Sequence, residues 1–348
     1  MAKLFYIGTY TEGTRSRGIY SAQLTEDGLL DGLAVETYKG VVNPSYLSVR
    51  GKKLYAVEER EIGELISYDI DEDGALEEKG RCPLESKGCC HVTTSPDGKD
   101  VFVSSYSDGG MLVYSVNDEG IAYNMVEEAK YEGKGKNAER QDGPHTHSSF
   151  VDPSGKWLLV CDLGIDTVYV YEIASLGKEI KEKNVIYTPE GSGPRHLCFN
   201  KDGNRLYILT ELSNEVLSYT FNAEDGTAEL LTRHHTIPED CNDETLAADI
   251  HLSENGKYLY ASNRGYDSIA VFEITENGDT VPVDICKIDV NRPRSFAISG
   301  IYMIVAGQYS NNVAVYRLNQ ENGKPKDKVA EIAVPSPVCI CMYDEVKG

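Results

Sequence analysis

Seven copies of one two-stranded unit, a turn-rich and tyrosine-rich composition, and the lack of any long helical apolar pattern predict an all-β chain. The architecture they imply is a seven-bladed β-propeller with four-stranded antiparallel blades, its ring closed by the C-terminal strand, and one domain over residues 1–348. The copies are "KLFYIGTYTEGTRSRGIYSAQL", "GKKLYAVEEREIGELISYDI", "GKDVFVSSYSDGGMLVYSV", "GKWLLVCDLGIDTVYVYEI", "GNRLYILTELSNEVLSYTF", "GKYLYASNRGYDSIAVFEI" and "GIYMIVAGQYSNNVAVYRL". In each, two apolar runs flank a turn rich in Gly, Asn, Asp or Ser, the mark of an antiparallel hairpin. A shorter apolar run ending in a turn such as "PDG", "PSG", "KDG" or "ENG" precedes most copies, and a charged, variable strand follows them. The first copy has no such preceding run, whereas the C-terminus offers a spare one, "SPVCICMY". Pairing the two leaves no sheet edge open.

Alignment on the turn glycines (Gly51, Gly98, Gly155, Gly203, Gly256 and Gly300) separates scaffold from chemistry. Eight residues after the glycine, where the second strand ends, stand Glu59, Tyr106, Leu163, Glu211, Arg264 and Gln308, with Tyr10 at the matching place in the first copy. One residue earlier come Glu58, Ser105, Asp162, Thr210, Asn263 and Gly307. Eight residues before the glycine, where the innermost strand starts, four copies place Cys90, His147, Arg195 and Ala248, with His91, His145, His196 and His251 close by. Hairpin packing does not require such variety. In a propeller these two places converge on one mouth of the central channel, so three consecutive blades bring His147, Arg195, Glu211 and Arg264 together. Glu58 and Glu59 read as a solvated rim, and a histidine at a blade start can equally stitch neighbouring blades by hydrogen bonds.

Composition narrows the partners. The formal net charge of −22 argues against nucleic acid and anionic membrane surfaces. No apolar run is long enough to span a bilayer, and "MAKLFYIGTY" lacks the pattern of an export signal, so the expected address is the cytoplasm. Nine scattered cysteines, with no CxxC pair, read as reduced thiols, mostly buried, and suggest no metal site.

At "PHTH", "GPRHLCF", "TELSNEV", "DIHLSENGKYLYASNRGYDSI" and "VAGQYSNNVAVY" the chain resembles the lactonase family of seven-bladed propellers, which includes the propeller-type 6-phosphogluconolactonases and fungal carboxymuconate lactonising enzymes. The resemblance implies a catalytic set of His147, Arg195, Glu211 and Arg264, with His145, His196, Asp162, Asn263 and Gln308 as polar substrate-binding positions and with no metal or other cofactor. The substrate it implies is a small anionic sugar lactone. Opening a δ-lactone needs an activated water, stabilisation of the developing oxyanion and a proton for the leaving alkoxide. Glu211 or His147 could act as base, and Arg195 and Arg264 could hold the oxyanion and the substrate's anionic group. The same cluster could run lactonisation of an unsaturated diacid. A non-enzymatic interaction propeller is the reading from another class, and the absence of WD-type repeat signatures speaks against it.

Overall fold

The turn residues dictate the hairpins first. The glycines of the aligned column all sit in the left-handed region, Gly203 at φ +69° for example, a conformation open to glycine at no steric cost. Between such turns, runs like Arg205–Thr210 and Glu215–Asn222 alternate around a fully buried centre and pair antiparallel, Arg205 opposite Thr220 through Thr210 opposite Glu215. Repetition of this unit gives the computed structural model, which describes residues 2–30, 34–175 and 181–343, as seven sheets of four antiparallel strands with almost no helix.

The blades follow chain order. The second to seventh occupy residues 44–83, 89–130, 146–187, 194–235, 246–287 and 293–333. The first combines residues 3–39 with the C-terminal strand Pro337–Met342, which supplies its inner strand and pairs Phe5 with Met342 and Gly8 with Cys339. The ring is therefore closed by the spare apolar run, as the sequence predicts.

A single blade is too thin to bury both faces, so each packs on its neighbours. Seven clusters of buried apolar side chains fill the seven seams. At the closing seam, Phe5 and Ile7 of the first blade meet Ile304, Val313 and Ile332 of the seventh. All nine cysteines are free, five of them buried.

Candidate active site

Each inner strand slips register once, close to where it starts. The slips fall between Pro44 and Tyr46, Cys89 and His91, Thr146 and Ser148, Pro194 and His196, Ala247 and Ile250, and Pro293 and Ser295, and in the first blade where Gly8 and Thr9 face the C-terminal strand. A bulge leaves a residue out of the ladder and re-aims its side chain. The residues so released include Cys90, His147, Arg195 and Arg294. Four blades thus turn one strand position into a ring of functional groups, and the ends of the second strands supply the rest.

Glu211 is the hub. It is 3% exposed, and both carboxylate oxygens are taken by arginines. Arg140 donates from Nη2 to Oε1 at 2.5 Å, while Arg195 Nε and Arg264 Nη2 donate to Oε2 at 2.8 and 2.7 Å. Burial alone would raise its pKa, but Arg264, Arg195 and Arg140 outweigh it and hold the carboxyl well below the usual carboxylate range. The arginines are anchored in turn, Arg195 to the Ala248 carbonyl and Arg264 to those of Leu246 and Ala247. Arg195 Nη2 and Arg264 Nη1 have no acceptor among the described residues, leaving each arginine a donor for a ligand.

His147 is the neutral partner. The residue is 6% exposed, and its Nδ1 is buried with no hydrogen-bond partner among the described residues. Burial, then the charges of Arg195, His196, Arg294 and Arg264, push its pKa well below the ordinary histidine value. A neutral imidazole held beside several guanidiniums is a proton acceptor at neutral pH. Opposite lies a second group, in which Tyr10 donates to Glu59 Oε2 at 2.9 Å and the Arg294 guanidinium carbon stands 5.4 Å from the Tyr10 ring centre.

The structure therefore brings His147, Arg195, Glu211 and Arg264 into one mouth. The flanking positions behave differently. His145 has its ring nitrogens 2.8 Å from the Tyr106 carbonyl and 2.9 Å from Asp142 Oδ1, and its ring stacks on Tyr106, so it braces the rim. His196 lies behind His147, 3% exposed, with Nδ1 2.8 Å from Asp249 Oδ1, and burial, then Arg195, push its pKa down to about 4 against the pull of Asp249. Asp162 and Asn263 are not at the mouth surface. The Asp162 carboxylate is consumed by the His145 and Gly164 amides and the Thr146 hydroxyl, and Asn263 is bonded to Thr236 and Ser268. Both pin turns that carry the site. Gln308 sits on a groove of about 910 Å³ beside the mouth, with Tyr10, Arg15 and Tyr309.

Two further expectations need correction. Glu58 is no solvated rim residue: it is 1% exposed, accepts from the Val42 amide at 2.9 Å and pairs with Arg60, while Glu59 is half-buried against Tyr10. His251 does not share the place of His91 and His196. It lies opposite Tyr260, deeper along its strand, and reaches back to Asp249 Oδ2 at 3.2 Å.

Sequence reasoning missed Arg140 and Arg294. Arg140 comes from the connection between the third and fourth blades, which has no counterpart in the repeat. Arg294 was within reach: "RPRSF" repeats the Pro-Arg step of "GPRHL", and Pro293 pairs with Gly307 as Pro194 pairs with Thr210. The seventh blade turns in two residues between Ser299 and Tyr302, so counting back from Gly300 lands on Arg292 instead.

A closed ring of seven four-stranded blades with a cluster of arginines, an acid and a neutral histidine in one mouth defines an enzyme-like propeller with a polar site on its axis. The chain belongs to the family described as "Lactonase, 7-bladed beta-propeller", whose model matches residues 4–342. It is 31% identical to the 6-phosphogluconolactonase of Bacillus subtilis strain 168, covering 98% of both chains. Among solved structures it resembles the periplasmic gluconolactonase of Pseudomonas aeruginosa (TM-score 0.90, 28% identity, 99% of each chain). A protein from Lactobacillus plantarum is as similar (TM-score 0.90, 29% identity, 99% of this chain and 100% of that one).

Proposed function

We propose that the mouth hydrolyses a small sugar δ-lactone, with 6-phosphogluconolactone as the substrate and 6-phosphogluconate as the product, a step of the pentose phosphate route carried out in the cytoplasm. The observation that carries this reading is the division of labour between Glu211 and His147. Three arginines hold Glu211 ionised and well below the usual carboxylate range, which leaves it a weak base. His147 is neutral and unencumbered, so it is the general base.

A water held by His147 attacks the lactone carbonyl carbon as the imidazole takes its proton. The carbonyl oxygen becomes an oxyanion and receives the free amino groups of Arg195 and Arg264, which Glu211 has already oriented. One such oriented donor is worth about 3 to 4 kcal/mol in the transition state. Collapse breaks the bond from carbon to ring oxygen, and the protonated His147 returns its proton to the leaving alkoxide. Because activated lactones are reactive, a base and a charge cradle suffice, with no covalent intermediate. The names of the relatives, a 6-phosphogluconolactonase and a gluconolactonase, agree with a lactone substrate. The test is the pH change with freshly prepared 6-phosphogluconolactone, glucono-δ-lactone and a carboxymuconate, compared side by side: opening a lactone releases a proton, whereas lactonising a muconate takes one up. Acceleration of the muconate alone would move the reading to lactonisation.

A further inference from the structure

Three of the four arginines around the mouth are already committed. Arg140, Arg195 and Arg264 all hydrogen-bond to Glu211, whereas Arg294 pairs with no carboxylate among the described residues. Arg294 is the bulged residue of the seventh blade's inner strand, the position Arg195 holds in the fifth. Its guanidinium lies over the face of Tyr10, which leaves the N–H edges for a ligand. The nearby Glu59 acts on it through space but forms no ion pair with it, and its Oε2 accepts from the Tyr10 hydroxyl. Tyr10 also forms part of the wall of a groove of about 910 Å³ between the first and seventh blades, a volume suited to a sugar derivative.

Resting on the lactonase reading, we propose that Arg294 grips the anionic substituent of the substrate, a phosphate or a carboxylate, and thereby selects charged lactones over neutral ones. The lactone ring would sit between His147 and the Glu211-bound arginines, with its charged tail directed towards Tyr10. A planar fork of donors held against an aromatic ring suits an oxyanion with two or three oxygens. On a chain of net charge −22, a guanidinium that no carboxylate pairs is a local attractor for an anionic substrate.

The experiment compares the full-length protein with Arg294→Gln and Arg294→Lys on three lactones: 6-phosphogluconolactone, a glucarolactone bearing a carboxylate, and neutral glucono-δ-lactone. Melting curves verify folding of both variants. For Arg294→Gln the ratio of kcat/KM on the phosphorylated to the neutral lactone falls by about 10-fold or more, chiefly through KM, and Arg294→Lys recovers part of it. A matching fall with the glucarolactone extends the grip to carboxylates, and its absence restricts it to phosphate. An unchanged ratio, or an equal loss of kcat on charged and neutral substrates, overturns the proposal. If the parent accelerates no lactone, the activity reading fails separately, and calorimetry with 6-phosphogluconate decides for Arg294. Binding weakened about 10-fold or more by Arg294→Gln supports the grip. Equal binding, or none to the parent, overturns it.

Discussion

At the scale of the residue, the site works by assigning charge states. Burial would neutralise Glu211, His147 and the arginines alike, but the three guanidiniums around Glu211 keep it ionised, while burial, reinforced by Arg195, His196, Arg294 and Arg264, keeps His147 neutral. A base is active when unprotonated, so the rate rises with pH through the pKa of His147 and is level above it. As that pKa lies well below the ordinary histidine value, the enzymatic rate, corrected for spontaneous hydrolysis, should be level from about pH 6 to pH 8. Arg264→Gln removes one of the charges that depress it and should move the acid limb to higher pH, as a pH–rate profile would reveal. Glu211→Gln leaves three guanidiniums facing a neutral amide. Breaking a buried ion cluster on one side costs about 3–5 kcal/mol, which urea unfolding would measure. A folded-state pKa below the unfolded one stabilises above about pH 4.5 and is lost as pH falls. The parent's acid sensitivity from this source should therefore be missing in Glu211→Gln.

At the scale of the element, the bulge and the turn aim the side chains. Asp162 ties the amides of His145 and Gly164 together, and the loop before the fourth blade lies directly on that turn. A Cβ on Gly164 would overlap the Gly143 carbonyl oxygen and stand 2.6 Å from the His145 amide nitrogen. Gly164→Ala should therefore cost about 1–3 kcal/mol in unfolding and lower turnover by shifting the strand that carries His147. An unaltered melting curve and rate would contradict this account of the turn. The column argument found His147, Arg195, Glu211 and Arg264 because repeated strands keep their offsets from a turn glycine. It overrated Asp162 and Asn263, since sequence position alone does not tell a side chain facing the mouth from one hydrogen-bonded inside its own turn. It lost Arg294 through a turn two residues shorter, and Arg140 through a connection that the repeat does not contain.

At the scale of the molecule, closure holds the contributing blades in register. The C-terminal strand lies between the first blade's second strand and the channel, and Ile340 packs into the seam between the first and seventh blades. Deletion of residues 337–348 should unpair the edge of strand Lys3–Thr9, strip the seam with the seventh blade and sharply lower the melting temperature, and a truncated chain melting with the parent would refute closure by this strand. The blade number and the closure were legible because each blade must carry the same apolar pattern to fill the same seam. The division between hub and base was not, because it depends on which arginines reach Glu211 across the channel. That division is the centre of the account, and one measurement addresses it: the turnover of fresh 6-phosphogluconolactone by the parent and by His147→Gln, both verified as folded. The account predicts a parent rate well above the spontaneous one and a fall in kcat of about 100-fold or more in the variant. A His147→Gln protein that turns over the lactone like the parent would contradict it.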